Sequence, residues 1–490
     1  MAEIWTGVKS ERHQDRLDAL ARDAKRDLDR LGFPAPNWVP ATRGPDGRDM
    51  LDVLVVGAGL CGQTLGFALM RDGIRNVRIV DRSPLGREGP WGTTARMQIL
   101  RSPKHLTGPD LGVPSLTFRA WYEAQHGDAG WASLHKAGRL DWRDYLLWVR
   151  DTVGTTVENG VDAAAIEPEA AGVRVDLKTA LGTEMVYARK VVLAGGREGS
   201  GGPRMPQFPS LPHGAQRHGR VFHSSDEIDF TALAGQRVAV LGAGASAFDC
   251  AGTALEAGAA EVIQYLRRAH LPQVNKSKWT AFPGFLKGYA SLDDATRWGF
   301  YSYIFSEQIP PPYESVLRCD AHPNFSIRFG EGWTDVVPRP DGVAIHTSSG
   351  IQEFAAAILG TGFDVDLALR PEIASFRDDI LLWRDRVAPD EAALHPECAR
   401  FPYVGPGFEL TPRCPVSQPG LSNIHILNWG VTLSHGALAG DIPGLAIGVN
   451  RLSDALCRDF LAKDITHHWA SLHALNDEEL KPTRRYVPRN

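Results

Sequence analysis

Residues 237–250, RVAVLGAGASAFDC, carry an apolar run into a glycine-rich turn and on into a helical pattern. A strand followed by G-x-G-x-x-G/A and a helix points backbone N–H groups at a pyrophosphate. The chain contains this arrangement twice. Upstream, residues 51–70 read LDVLVVGAGLCGQTLGFALM, with Gly57, Gly59 and Gly62 at G-x-G-x-x-G. Two such units in one chain suit electron transfer between two dinucleotides, one held and one exchanged.

In the first unit the continuous apolar run DVLVV predicts a central parallel strand. The first glycine permits a tight turn, the second lets a pyrophosphate approach the backbone, and the third lets helix and strand pack closely. NVRIVDR supplies the next strand, with Asp81 at its end, 24 residues after Gly57. There a carboxylate can accept hydrogen bonds from ribose hydroxyls. The second unit has Gly242, Gly244 and Ala247, a helix to Gly258, and a strand EVIQYL followed by Arg267 and Arg268 instead of an acid. An acid would repel the 2′-phosphate of NADPH, whereas a guanidinium offers it paired donors. The first loop is therefore expected to hold FAD and the second NADPH.

ARKVVLAGGREG (188–199) and EFAAAILGTGFDVD (353–366) both read as buried strands ending in glycine turns. The expected architecture is α/β, with two Rossmann-like domains, the NADPH domain inserted into the FAD domain. The boundaries read as a helical extension over 1–49, the FAD domain over 50–209, the NADPH domain over 210–351 and the resumed FAD domain with the C-terminal region over 352–490. Gly/Pro-rich GSGGPRMPQFPSLP (199–212) forms the first hinge. Residues 9–31 space Leu17, Leu20, Ala24, Leu28 and Leu31 as an amphipathic helix, packed on the main body or forming a homo-oligomer contact.

Length and charge bound the function. At 490 residues the chain has room for roughly three domains. Lys plus Arg number 53 against 58 Asp plus Glu, a net charge of −5, so no nucleic-acid or anionic-membrane partner is expected. No run reaches the about 18 apolar residues of a membrane-spanning helix. The first residues lack the apolar core of a secretory leader, so a cytoplasmic protein is expected. The six cysteines, Cys61, Cys250, Cys319, Cys398, Cys414 and Cys457, form no C-x-x-C pair and no zinc-finger pattern. No metal site is expected. A disulfide reductase needs a cysteine pair beside its flavin, so oxygen is favoured as electron acceptor. An FAD-dependent NADPH:acceptor reductase and a non-catalytic NADPH sensor remain as alternatives of other classes.

The order of first glycine loop, GPW (89–91), GAGASA (242–247) and LGTGF (359–363) resembles the class B flavin monooxygenases over about residues 50–455. Several segments resemble the branch of lysine and ornithine N-hydroxylases: ARMQILRSPKHL (95–106), VPSLTFRAWYEAQHG (113–127), RLDWRDYLLWV (139–149) and LNWGVTLSHGALAGDIPGLAIGVNR (427–451). The chain departs from that branch in four places. Ala355 replaces an acid, RWGFYSYIFSEQ lacks a Thr-Asn-Tyr pattern, Lys104 stands one residue further from Met97, and Arg217 replaces the Phe that leads the fingerprint containing Gly219 and His223.

The resemblance implies an NADPH- and FAD-dependent monooxygenase in which a hydroperoxyflavin oxygenates a small substrate. N-hydroxylation of an amine or amino acid leads, with Baeyer–Villiger or sulfur oxygenation as alternative. It implies that Gln98 orients nicotinamide or flavin as the catalytic side chain, that Trp91 walls the isoalloxazine, and that His435 and Asn428 lie near it. Arg82, Met97, Ser246, Gly362 and Phe363 complete the implied cofactor contacts, and Lys104 is the implied substrate-binding cation. Residues 279–305 read as a cavity lining or as core.

Overall fold

The computed structural model describes residues 11–211, 219–414 and 418–485. The fold is mixed α/β, built on one mixed and one parallel sheet that each contain one of the glycine-rich units. In the first sheet the strand Leu51–Val56 lies between Val77–Asp81 and the C-terminal half of Gly182–Leu193, parallel to both. Ile424–Ile426 adds on the far side of Gly182–Leu193, again in parallel. The other half of that long strand turns antiparallel, pairing with Gly172–Thr179, which pairs with Asp162–Glu169. Val53, Leu54 and Val55 are fully buried, as a strand covered on both faces must be.

The second sheet is parallel throughout, in the order Phe325–Phe329, Glu261–Leu266, Arg237–Leu241, Ala356–Leu359, Val221–His223. Its strands fall, in sequence, between Leu193 and Ile424 of the first sheet. An antiparallel meander over Asp335–Arg339, Gly342–Thr347 and Gly350–Phe354 leads into the strand Ala356–Leu359.

That strand belongs to the second sheet. Ala356–Leu359 pairs with Arg237–Leu241 inside the second sheet, so the chain returns to the first only after Gly360. Ala356 and Ile358 pack on the side of the helix Ala245–Glu256, and Ala357 and Leu359 on the opposite face, with Tyr265 and Trp333. A short antiparallel pair, Phe363–Val365 with Gly201–Pro203, carries the chain across.

The helix read from residues 9–31 spans Glu11–Arg30, and it buries Leu17, Ala24 and Leu28 against the aromatic cluster of Phe118, Trp121, Trp142 and Tyr145. Leu31, past its end, is exposed. Residues 1–10, which include the segment read for a leader, and Arg217 lie outside the described residues. Among the described residues no helix is long and apolar enough to cross a membrane.

Candidate active site

Each glycine-rich loop is shaped by contacts that side chains would block. Gly57 has φ +104°, and a Cβ there would stand 2.8 Å from the carbonyl oxygen of Ala194. A Cβ on Gly62 would meet the Gly57 oxygen at 1.9 Å, so the helix Leu60–Arg71 can start only on a bare residue. Gly59, by contrast, faces open space, its nearest neighbour 3.8 Å away. The second loop repeats this. Gly242 has φ +128° with the Gly360 oxygen 2.3 Å from its missing Cβ, while nothing lies within 4 Å of Gly244. Both helices lack an acid in their first turn. Open middle glycines at two uncompensated helix N-termini fit two pyrophosphates.

Two glutamines that sequence reading passed over brace these loops. Gln63 donates from Nε2 to the Ala58 oxygen (2.6 Å), and Gln264 donates to the Gly242 oxygen (2.8 Å). Asp81 accepts from the Ala58 N–H through Oδ2 (2.7 Å) and from the Ser83 N–H through Oδ1 (2.8 Å). Its carboxylate is thus locked at the end of its strand, beside the first loop.

Both loops open into one cleft of about 1880 Å³. A single drug-sized ligand occupies about 300–1000 Å³, so this cleft suits two dinucleotides. Of the residues singled out in the sequence, Gly57, Gly59, Asp81, Arg82, Trp91, Met97, Gly242, Gly244, Ser246, Arg267, Arg268, Gly362 and Phe363 all line it. Arg82 pairs with Glu198 at 2.9 Å. Arg267 and Arg268 carry no ion pair among the described residues, and the bare Gly332 lets the Arg267 stem lie close against it.

Trp91 and Met97 are presented by a loop that is held from outside. Arg139 donates to the carbonyl oxygens of Met97 (3.1 Å) and Trp91. Arg96 donates to the Ser224 and Asp226 oxygens, both at 2.5 Å, and its guanidinium lies 5.1 Å from the Phe230 ring centroid. These contacts stitch the loop to the second unit.

Six predicted residues stand outside the cleft. Gly62 and Ala247 act by packing, as above. Gln98 lines an adjoining cavity of about 860 Å³ and donates to Glu256 at 3.1 Å, a carboxylate that also receives Arg318. Asn428 caps a turn, accepting from the Gly430 N–H (2.8 Å) and donating to the Gly199 oxygen (3.3 Å). His435 is buried against Phe408, ring centroids 4.1 Å apart, between the Gly405 oxygen and Arg451. Burial holds its pKa down to about 3, so the ring is neutral and its role here is to brace. Lys104 is turned toward the end of the helix Phe118–Ser133, where Nζ donates to the Trp131 oxygen.

The fingerprint His223 is also structural. It bonds the Gly362 oxygen through Nε2 (3.0 Å) and so ties the strand Val221–His223 to the Gly360–Phe363 turn. Of residues 279–305, Phe285, Tyr289, Trp298, Tyr301 and Ile304 are buried in a cluster that includes Trp383 and Phe401, whereas Trp279, Phe282, Leu292 and Tyr303 are exposed. Cys61, Cys250, Cys319, Cys398 and Cys457 are free thiols. Cys61 and Cys250 line the cleft, and burial pushes both thiols up to about 11, which leaves no thiolate for disulfide chemistry. Among the described residues no cluster could hold a metal ion.

Comparison with known proteins agrees with this geometry. The family described as FAD-NAD(P)-binding matches residues 54–198, and the family described as L-lysine 6-monooxygenase/L-ornithine 5-monooxygenase matches residues 131–298. The fold is that of solved N-hydroxylases. The ornithine N-hydroxylase of Kutzneria sp. 744 superposes with TM-score 0.64 at 16% identity, covering 84% of this chain and 99% of its own. The L-lysine 6-monooxygenase of Pseudomonas syringae superposes with TM-score 0.60 at 20% identity, covering 83% and 99%. The FAD-dependent urate hydroxylase of Xanthomonas campestris is 39% identical over 448 residues, 91% of this chain and 94% of that protein. FAD and NADP(H) are accordingly the cofactors of this oxidoreductase. The chain belongs to the family of that hydroxylase, the class B flavin-dependent monooxygenases.

Proposed function

We propose that the chain is an NADPH- and FAD-dependent hydroxylase of urate. The observation that carries this reading is the 39% identity to the Xanthomonas campestris urate hydroxylase over nearly the full length of both chains. The position of Lys104 supports it. The cation expected to grip an amino-acid carboxylate bonds a helix-end carbonyl outside the cleft, so an amino-acid substrate loses its anchor.

In this reading Gly57, Gly59 and the N-terminus of the helix Leu60–Arg71 hold the FAD pyrophosphate, with Asp81 at the ribose. Gly244, Ser246 and the helix Ala245–Glu256 hold that of NADPH, and Arg267 and Arg268 receive the 2′-phosphate. FAD, when bound, supplies the redox chemistry by which two electrons from NADPH let one oxygen atom of O2 enter the substrate while the other leaves as water. The protein's task is to orient and to exclude water. Trp91, Met97, Leu100, Ile309 and Ile442 give the inner cleft its apolar lining.

Hydroxylation of an amine nitrogen is the second reading. It is favoured by the family match over residues 131–298 and by Asp441, whose carboxylate lines the cleft where an ammonium could pair with it. One experiment separates the two. Purified FAD-loaded enzyme is given NADPH, O2 and either urate or a panel of lysine, ornithine and cadaverine. Loss of the urate ultraviolet band with equal NADPH and O2 consumption is the expected result. Coupled turnover of an amine with urate untouched would install the second reading.

A further inference from the structure

One part of the cleft is built from three segments far apart in sequence: Arg101, the turn after the helix Asp294–Glu307, and Gly440–Ile442. Arg101 is solvent-accessible there. Its one hydrogen bond among the described residues runs from Nη2 to the Pro310 oxygen, at 2.8 Å, and no carboxylate is within ion-pair distance of it. Most other guanidiniums of the chain that reach a cavity are tied down, as Arg82, Arg96 and Arg318 are. The neighbouring charges are mixed. Arg197, lying 3.9 Å over the Trp429 ring, adds a second cation, whereas Asp441, Asp249 and Glu314 add negative charge. Asp249 is already engaged by Ser315 and Arg318, and Glu314 by Lys136 and His135. Burial and Arg197 together lower the Arg101 pKa from its ordinary value, the direction expected of a cation lacking a counter-ion.

Two residues before Pro310 stands Gln308, with φ 61° and ψ 167°. That backbone region is nearly confined to glycine, and a residue with a side chain is held there only at a cost. Gln308 also lines the cleft, is accessible, and makes no side-chain hydrogen bond among the described residues. A strained backbone that presents an unengaged amide two residues from the carbonyl bonded by a guanidinium with no carboxylate partner is costly to keep unless a ligand uses both.

We propose that Arg101 and Gln308 form the edge of the substrate site that recognises a planar, anionic oxo-heterocycle, the class to which urate belongs. This rests on the urate reading above. A guanidinium presents two parallel N–H donors, which match the adjacent oxygen and deprotonated nitrogen on one edge of such a ring. A carboxamide both donates and accepts, which matches a neighbouring C=O and N–H. Neither group would select an aliphatic ammonium.

The test is direct binding of urate to the FAD-loaded enzyme without NADPH, by equilibrium dialysis, with thermal stability measured in parallel. Arg101→Met should weaken urate binding by about 10- to 100-fold, and Arg101→Lys should restore only part of it. Gln308→Gly relieves the backbone, so its melting temperature should equal or exceed that of the parent while urate binding weakens about 2- to 10-fold. Xanthine and orotate serve as further planar probes. If the parent ignores urate but binds one of these with the same dependence on Arg101, the urate reading falls and the recognition edge stands. If the parent binds none of the three, or if Arg101→Met binds urate as the parent does, the edge is wrongly assigned.

Discussion

Gly360 lies so close to Ala247 that a methyl group on Gly360 would stand 2.5 Å from the alanine's Cβ. The carbonyl of the same Gly360 closes on Gly242. The second dinucleotide loop therefore tolerates alanine at its third position because the neighbouring strand Ala356–Leu359 is followed by a residue with no side chain. Gly360→Ala should force the helix Ala245–Glu256 away from the sheet, at a stability cost of about 1–3 kcal/mol. Its KM for NADPH should rise while FAD content stays at the parent level. Steady-state kinetics with an absorbance ratio for bound flavin checks both, and an unchanged KM would show that this contact does not shape the nucleotide site.

Nucleotide choice should reside in Arg268. Arg267 and Arg268 end the strand Glu261–Leu266 where an NADH site would carry an acid, and both line the cleft without an ion pair among the described residues. Replacing Arg268 by Ala removes a charge-assisted contact of roughly 1.5–3 kcal/mol, or about 10- to 100-fold. The KM for NADPH should rise by that factor and that for NADH little. Equal effects on the two nucleotides would reject the assignment.

Gly59 has room in front of it and a function that depends on that room. In Gly59→Val the branched side chain would occupy the place of a pyrophosphate, and its Cβ would meet no protein atom closer than 3.8 Å. The protein should fold, with a melting temperature near that of FAD-free parent, and purify colourless. Stoichiometric FAD in this variant would show that the two loops had been assigned to the wrong cofactors.

What was legible in the sequence is what local spacing encodes. Three glycines, a strand on either side and the residue ending the second strand act through backbone geometry within about 25 residues, so the strand–turn–helix units that bring Gly57, Asp81, Gly242 and Arg268 to the cleft could be read directly. Side chains placed by tertiary contacts could not. Gln98, Lys104, Asn428 and His435 sit on segments whose resemblance to relatives gives their order along the chain, yet their direction is set by distant partners: Glu256, the Trp131 carbonyl, Gly199 and Arg451. The Ala356–Leu359 strand was legible as a strand but not as a member of the second sheet, because its pairing partner lies more than a hundred residues away. Gln308 left no trace either, since a positive φ is foreshadowed in sequence by glycine and this position has none.

Acid sensitivity offers the last prediction. His425 and His435 are both buried, and burial, helped by Lys190 at His425, lowers each pKa to about 3. An unfolded histidine titrates near 6.5, so below that pH the unfolded chain binds protons that the folded chain refuses. Stability is fully present above about 6.5 and is lost as the pH falls toward 3. At pH 5 each ring disfavours the fold by about 2 kcal/mol relative to pH 7. Asp52 works the other way: burial raises its pKa to about 6, so its protonation adds stability over part of the same range. Comparing a variant with its parent cancels that opposing contribution. His435→Gln keeps a donor for the Gly405 oxygen and an acceptor for Arg451 but cannot titrate. Urea midpoints at pH 7 and pH 5 should therefore diverge less for the variant than for the parent, by about 2 kcal/mol. A variant with the parent's full acid loss would place that sensitivity elsewhere, and His425→Gln would be the next substitution to measure.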